Sequence, residues 1–326
     1  MTAPLALTMG DPAGVGAEIT IAAWRQRETL PPFFLIDDPD RIAMMCSEVP
    51  VQAIGTPEEA GDVFASALPV LPMKLDHPVR PGRPHPGLAK ATIASIELAV
   101  RLARDGHASG MVTNPINKKV LYDGAGFRWP GHTEFLAHLG GVNHTVMMLA
   151  APGLRVVPVT IHIALADVPG LLTADLIMQT ARMVYLALQK DFDIDDPRLA
   201  VAGLNPHAGE GGAMGSEEVT IIQPAVDHLR SEGMDVRGPL PADTMFHPAA
   251  REKYDAALTM YHDQGLVPLK MLDFARGVNV TLGLPFVRTS PDHGTAYDIA
   301  GTGKADPTSL VEAIKLAGTM AKARGL

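Results

Sequence analysis

Short apolar runs alternate along this chain with longer segments whose apolar residues recur at helical spacing. Leu5–Met9 precedes the helix-like segment Val15–Arg27, and Phe33–Ile36 precedes a helix that begins near Pro39. A buried parallel strand is apolar on both faces, and a crossover helix is needed to reach the next parallel strand. The alternation therefore predicts stacked βα units. The same criteria place further strands at Gly110–Thr113, Thr145–Leu149, Arg155–Ile161, Leu199–Ala202, Ala256–Met260 and Val278–Leu282, and further helices at Leu88–Asp105, Ala174–Gln189, Glu217–Arg230 and Thr308–Ala323.

Composition narrows the class of protein. The chain has 326 residues, of which 47% are hydrophobic and 19% charged, as expected for an α/β enzyme of one large or two medium domains. The net charge of -9 and the absence of a Lys/Arg-rich run argue against nucleic acid and membrane surfaces as partners. Cys46 is the single cysteine, which excludes an intrachain disulfide, and the N-terminus has no basic signal-peptide region. We expect a cytoplasmic protein.

Three histidines occupy equivalent positions, each directly after an apolar run. They are His162 in VVPVTIHIAL, His207 in VAGLNPHAGEGG and His262 in ALTMYHDQG. In open α/β sheets ligands bind beyond the carboxyl ends of the strands, and three imidazoles there are typical of an open divalent metal site. A hydrogen-bonded structural role is the alternative for any single histidine.

A second set of polar residues is suited to an anion such as phosphate or carboxylate. Thr133 is predicted to cap a helix that begins at Glu134, and helix N-termini bind anions. Lys270 and Arg288 stand between apolar residues, where an unpaired charge is costly, so we interpret them as anion ligands. His132 and Asn279 complete the set.

Two glycine-rich segments are candidates for functional loops. The first, Met9–Gly16, matches neither the dinucleotide fingerprint G-x-G-x-x-G nor the P-loop, and a tight turn is the alternative. The second, Pro291–Pro307, is polar and glycine-rich, which suits backbone contacts to a nucleotide. Its alternative is a long surface loop.

Together these segments resemble the 4-hydroxythreonine-4-phosphate dehydrogenase family of vitamin B6 biosynthesis. The resemblance covers nearly the whole chain, and it rests on MGDPAGVG, TNPINK, GHTEF, GLNPHAGEGG, PADTMFH, MYHDQGLVPLK and GVNVTLGLPFVRTSPDHGTAYDIAGTGKADP. It implies an α/β fold of two domains, similar to isocitrate and isopropylmalate dehydrogenases, with a cleft between the domains and a homodimer that completes each active site. The predicted domains are 1–128 plus 284–326 and 129–283.

The resemblance also implies roles for individual residues. The metal ligands are His162, His207 and His262, at least one of them from the partner subunit. The substrate contacts are His132, Thr133, Asp243, Lys270, Asn279 and Arg288, with Asp243 and Lys270 as candidates for proton transfer. The NAD or NADP contacts are Asp292, His293, Gly294, Thr295 and Asp298.

The implied reaction is the metal-dependent oxidation of 4-hydroxy-L-threonine 4-phosphate in pyridoxal 5'-phosphate synthesis. The β-keto acid product loses carbon dioxide to give 3-amino-2-oxopropyl phosphate. Zinc, cobalt, manganese and magnesium all suit such a site, and the sequence does not choose between NAD and NADP. One alternative keeps the chemistry and changes the substrate to D-threonate or D-erythronate 4-phosphate or to an aromatic dihydrodiol; another is a metal-dependent hydrolase, which would work without a nicotinamide.

Overall fold

The computed structural model describes residues 3–326, which form a layered α/β structure. The strands are β1 (Leu5–Thr8), β2 (Phe33–Asp37), β3 (Val51–Ala53), β4 (Leu68–Pro72), β5 (Gly110–Val112), β6 (Val146–Ala151), β7 (Leu154–Pro158), β8 (Arg198–Ala202), β9 (Asp235–Leu240), β10 (Ala256–Thr259), β11 (Val278–Leu282) and β12 (Arg288–Pro291). The helices are α1 (Gly16–Trp24), α2 (Pro39–Met45), α3 (Ala60–Val63), α4 (Ala89–Arg104), α5 (Lys118–Ala125), α6 (His132–Gly140), α7 (Val168–Leu171), α8 (Ala174–Phe192), α9 (Gln223–Ser231), α10 (Pro248–Arg251), α11 (His262–Leu272) and α12 (Thr308–Ala323).

The chain divides into two compact units. Of the described residues, unit 1 comprises residues 3–145 together with Leu284–Leu326, and unit 2 is Val146–Gly283. In unit 1 the strands follow the order β3-β4-β2-β1-β5-β12, and all neighbours are parallel. Parallel strands carry helices on their faces, which explains the regular alternation of apolar runs and helical segments in this part of the sequence.

Helix α6 belongs to unit 1. Its residues Phe135 and Leu136 are buried in the same core as Phe34 of β2 and Phe286, which precedes β12. The sequence-based division assigned residues 129–145 to the other domain. Burial of the apolar face of α6 against unit 1 is a tertiary contact, and no local feature of the sequence marks it.

Unit 2 contains a mixed sheet in the order β11-β6-β7-β10-β8-β9. Strand β6 is antiparallel to both β11 and β7, whereas β7, β10, β8 and β9 run parallel to one another. The carboxyl ends of these four strands therefore lie at one edge of the sheet. This edge carries the three histidines that the sequence singled out.

Helix α11 is an element that the sequence pattern did not reveal, because it contains Gly265 and Pro268, two residues that usually interrupt helices. A Cβ atom on Gly265 would lie 2.7 Å from Oγ1 of Thr259 and 3.2 Å from Cβ of Val156. The glycine is therefore needed for the helix to pack closely against β10 and β7.

The predicted helix Glu217–Arg230 begins as a π-helical turn, Glu218–Ile222, before it continues as α9. Pro224, which has no N–H to donate, stands at the junction. Among residues 3–326, no single helix is long and apolar enough to cross a membrane. The bent helix pair Leu165–Leu171 and Ala174–Phe192 meets the length and composition criteria when the two helices are taken together.

Candidate active site

The three histidines follow three neighbouring strands of unit 2. His162 comes after β7, His262 after β10, and His207 after β8. Strand β10 pairs in parallel with β7 on one side and with β8 on the other. The parallel pairing therefore directs all three segments to the same edge of the sheet, as the sequence predicted.

Two of the three imidazoles lie together. The ring centroids of His162 and His262 are 5.7 Å apart. Two imidazoles bound tetrahedrally to one ion at about 2.0–2.1 Å have centroids roughly 5 Å apart, so the pair fits two ligands of one divalent cation. Both residues line a pocket of about 280 Å³, whose other walls come from Thr160, Ile161, Ile163, Leu165, Val168, Tyr261 and Asp263.

Asp263 orients the ring of His262. Its Oδ1 lies 2.7 Å from Nδ1 of His262. Metal-binding histidines commonly donate their other ring N–H to a carboxylate, which fixes the tautomer and directs the second nitrogen at the metal. With Nδ1 engaged in this way, Nε2 of His262 is the nitrogen suited to a metal.

His162 has a strained backbone. Its φ angle is 42°, in the left-handed region that residues with a side chain rarely adopt. Such strain persists only where the surrounding structure fixes it, and it concentrates at ligand sites. The conformation supports a functional role for this residue.

His207 stands on an exposed left-handed turn. Residues 207–211 all have positive φ, including His207 at 53° and Glu210 at 42°. The carboxylate of the buried Glu218 anchors the start of this turn, because it accepts N–H bonds from Leu204 at 2.7 Å and Asn205 at 2.6 Å. Within residues 3–326 no three His, Cys, Asp or Glu side chains are grouped closely enough to hold a metal, so His207 does not join the other two histidines within this chain.

Unit 1 contains a buried cation at Arg288, the first residue of β12. The guanidinium donates from Nε and Nη2 to Oγ1 of Thr113, at 3.2 and 2.7 Å. Burial lowers the pKa of Arg288 to about 10, so the group stays positively charged at neutral pH. A buried positive charge is a natural ligand for an anion.

His132 is the first residue of α6, whose N-cap is Gly131. The predicted cap at Thr133 is therefore wrong: the helix begins two residues earlier than expected, and Thr133 lies in its first turn. Burial, and then the charge of Arg288, hold the pKa of His132 well below its ordinary value of 6.5. Its Nε2 atom is buried and has no hydrogen-bond partner among residues 3–326. At neutral pH this imidazole is uncharged and can donate or accept a hydrogen bond.

The remaining predicted substrate residues belong to unit 2. Asn279 lies on β11, and its buried Oδ1 atom has no hydrogen-bond partner in the described part of the chain. Lys270 is half-buried in the last turn of α11, with Nζ 5.3 Å from the ring centroid of Phe274. Asp243 is exposed in the short turn Ala242–Thr244.

The five predicted nucleotide contacts lie in the segment between β12 and α12. The N–H of Asp292 donates to Oγ of Ser309 at 3.0 Å, which fixes the start of this segment at the beginning of α12. Apart from its two chain neighbours, no described residue has an atom within 4 Å of the position that a Cβ on Gly294 would occupy. This open backbone fits the close approach of a ligand.

Sequence reasoning missed three residues of these sites, Thr113, Asp263 and Glu218. Thr113 directly follows β5, and Asp263 directly follows His262, so the strand-end criterion that selected the histidines extends to both. Glu218 gave no signal, because its partners are backbone N–H groups on another segment of the chain.

The fold and these side chains define an α/β enzyme with a two-histidine pocket in one unit and a buried cationic site in the other. A family model described as pyridoxal phosphate biosynthetic protein PdxA matches residues 31–317. A relative from Ruegeria sp. (strain TM1040) is 54% identical over 98% of this chain and 97% of its own length, and one from Caulobacter vibrioides is 55% identical over 99% of both. Both relatives are named 4-hydroxythreonine-4-phosphate dehydrogenase. The chain belongs to the PdxA family, and the resemblance seen in the sequence is confirmed.

Solved structures agree with this assignment. A 4-hydroxythreonine-4-phosphate dehydrogenase from Klebsiella pneumoniae matches with a TM-score of 0.88 at 37% identity over 98% of both chains. A β-decarboxylating dehydrogenase from Thermococcus kodakarensis matches with a TM-score of 0.51 at 15% identity over 100% of this chain and 84% of that one, which shows a shared fold. The predicted fold class, similar to isocitrate and isopropylmalate dehydrogenases, is confirmed.

Proposed function

We propose that this chain oxidises the secondary alcohol of 4-hydroxy-L-threonine 4-phosphate with NAD or NADP as the hydride acceptor. The observation that carries the proposal is the buried Arg288 beside the uncharged His132, a site built for an anionic group. Relatives more than half identical over almost the whole chain carry this substrate in their names.

The phosphate would bind at Arg288 and at the start of α6. Arg288 supplies positive charge, and His132 supplies a neutral ring nitrogen. The first turn of α6, which includes Thr133, supplies backbone N–H groups that have no partner within the helix. These donors together suit a group with several oxygens and negative charge.

His162 and His262 would hold a divalent cation, with His207 as the third ligand. Zinc is the first choice for imidazole ligands, and cobalt, manganese and magnesium are alternatives. Because His207 is not grouped with the other two in one chain, its ligation requires a contribution between subunits, as the family resemblance implies. When bound, the cation lowers the pKa of the substrate hydroxyl as a Lewis acid.

Asp243 and Lys270 are the proposed residues for proton transfer, and Asn279 is a proposed substrate contact. The orphaned Oδ1 of Asn279 is suited to accept a hydrogen bond from the substrate. A bound NAD or NADP would supply the hydride acceptor, and the β-keto acid product would lose carbon dioxide to give 3-amino-2-oxopropyl phosphate. Asp292, His293, Gly294, Thr295 and Asp298 are the proposed nucleotide contacts.

We propose a cytoplasmic homodimer. Helix α11 leaves a row of exposed apolar side chains: Val267 is 56%, Met271 83% and the following Phe274 78% exposed. Val267 and Met271 are four positions apart and so share one face of α11, and Phe274 follows the end of the helix. An exposed apolar surface of this kind is typical of a protein interface. The net charge of -9 argues against nucleic acids and anionic membranes as partners.

The test is the absorbance of reduced nicotinamide formed by purified, EDTA-treated protein. The protein is given 4-hydroxy-L-threonine 4-phosphate with NAD or NADP, with and without zinc, cobalt, manganese or magnesium. Turnover restored by metal supports the proposal. If the protein prefers D-threonate or D-erythronate 4-phosphate, that sugar acid is the substrate instead. If it hydrolyses a substrate without nicotinamide, it is a hydrolase and the proposed reaction class is wrong.

A further inference from the structure

The segment Asp292–Gly303 is hydrogen-bonded to the first βα turn of unit 1, which consists of the glycine-rich segment Met9–Gly16 together with Glu18 of α1. Three separate sets of hydrogen bonds join them, at three places along the segment. All of them lie within unit 1.

The first contact joins Tyr297 and Asp11. The Tyr297 hydroxyl donates to Oδ2 of Asp11 at 2.6 Å, a length typical of an O–H bond to a carboxylate. Asp11 is only 3% exposed, and its other oxygen accepts the N–H of Ala13 at 2.9 Å. Burial, and then the bond to Asp11, raise the pKa of Tyr297, so its hydroxyl keeps the proton that it donates.

The second contact joins the glycine-rich turn to Thr295. The N–H of Val15 donates to the carbonyl oxygen of Thr295 at 3.0 Å. A Cβ on Gly14 would lie 2.8 Å from that same oxygen. Gly14 is therefore a glycine because the backbone of Thr295 passes directly over it.

The third contact involves Glu18, whose carboxylate accepts the N–H groups of Gly301 and Gly303. Between the first and second contacts, Ala296 has a φ of 44°, a strained value for a residue with a side chain. This strain persists because Thr295 and Tyr297 on either side are both held.

The other glycines of the turn also pack against the protein itself. A Cβ on Gly10 would lie 2.7 Å from Cβ of Asn114, and one on Gly16 would lie 3.0 Å from the carbonyl oxygen of Met9. The turn therefore uses its glycines to approach its own chain.

We propose that Tyr297 is a positioning residue for the nucleotide, and that Asp11 acts with it as a single anchor. The bond between them fixes Thr295 and the backbone around it in the conformation that receives the dinucleotide. This inference rests on the proposed function in one respect, the assignment of residues 292–298 to the nucleotide.

The test compares Tyr297→Phe with the wild type and with Tyr122→Phe. Tyr122 is the matched control, because its hydroxyl also donates one hydrogen bond in unit 1, to the carbonyl oxygen of Trp129 at 3.1 Å. The dissociation constants of NADH and NADPH are measured by fluorescence without substrate, and amide hydrogen exchange of residues 294–303 is measured without nucleotide.

We expect Tyr297→Phe to weaken nucleotide binding roughly tenfold, since a hydrogen bond to a charged group is lost. Exchange at residues 294–303 accelerates, and the KM for nucleotide rises while the KM for substrate is unchanged. Tyr122→Phe changes none of these quantities. Glu18→Gln, which weakens the third contact, is also expected to accelerate exchange at residues 294–303 and to weaken nucleotide binding.

If Tyr297→Phe leaves both the nucleotide affinity and the hydrogen exchange of residues 294–303 unchanged, the proposed anchor is contradicted. A double-mutant cycle with Asp11→Ala adds an independent criterion: if the two residues act through each other, Tyr297→Phe has little further effect in the Asp11→Ala background, whereas full additivity contradicts the pairing. A wild type that binds neither nucleotide defeats the cofactor assignment, and hydrogen exchange alone then decides whether the anchor exists.

Discussion

Arg288 donates from Nη2 to the hydroxyl of Thr113 at 2.7 Å, although 175 positions separate the two residues in the chain. Their strands are parallel neighbours, with Arg288 in register with Met111 and Thr289 with Val112. Since Thr113 follows β5 directly, its hydroxyl reaches the planar guanidinium and fixes its orientation. A buried arginine fixed in this way can receive an anion in one defined geometry.

Arg288→Ala is expected to weaken transition-state binding of the phosphorylated substrate. The loss in kcat/KM should correspond to about 2–5 kcal/mol, the usual cost of removing one partner from a desolvated ion pair. Steady-state kinetics measure it, with Arg25→Ala as the control, since the Arg25 side chain is 51% exposed. An Arg288→Ala enzyme with wild-type kcat/KM would contradict the anion-binding role.

His207→Asn is expected to abolish metal-dependent turnover and to leave the fold intact. Asparagine tolerates the left-handed conformation at φ 53° while it removes the imidazole. Turnover with saturating metal, metal affinity and the unfolding midpoint are measured together. The exposed His144, changed to Asn, is the control. Full metal-dependent activity of His207→Asn would remove His207 from the ligand set.

Asp263→Asn is expected to weaken metal binding about 10–100-fold, as changes to hydrogen-bond partners of metal ligands generally do. The reason is that Asp263 holds Nδ1 of His262 at 2.7 Å and so directs the ring. Competition with a chromogenic chelator measures the affinity. Asp196→Asn, an exposed change in the same unit, should have no effect. Equal affinities for both variants would show that Asp263 does not orient His262.

His132 is expected to lower the free energy of unfolding of the protein as the pH becomes acidic. Its pKa is lower in the folded chain than the ordinary 6.5, so protonation favours the unfolded chain. Its contribution is present above pH 6.5 and is lost as the pH falls below that value, by up to about 1.4 kcal/mol per pH unit. Urea unfolding of wild type and His132→Asn above and below pH 6.5 measures the difference. Parallel pH dependences of the two proteins would contradict a lowered pKa.

Gly265→Ala is expected to destabilise the protein by about 1–3 kcal/mol, because the added methyl group overpacks the contact between α11 and β10. The control is Gly170→Ala in α7, where the new Cβ would meet no other part of residues 3–326 within 4 Å beyond its own helical turn. That change should be neutral or stabilising by about 0.4–1 kcal/mol. Urea unfolding distinguishes them, and equal stabilities would mean that α11 does not need the close approach.

The local sequence was sufficient to locate most strands and long helices. Strands such as β1 and β2 are buried and mostly apolar on both faces, and α8 and α12 have clear helical periodicity and few interruptions. It was insufficient for α11, because Gly265 is explained only by the close packing of the helix against β10 and β7. The same limit applies to α6, because its core partners in unit 1 are distant in sequence.

The sequence by itself determined the α/β class, the family, and the polar residues that follow the strands, because these depend on local composition, periodicity and motif order. Only the tertiary structure decided which of those residues meet. It pairs His162 with His262, Arg288 with Thr113, and Tyr297 with Asp11. It also put His207 on a left-handed turn anchored by Glu218. The three pairings depend on strand order and on contacts between segments that are distant in the sequence, and the Glu218 anchor depends on backbone N–H groups 13 and 14 residues away. The local pattern of apolar and polar residues encodes none of these contacts.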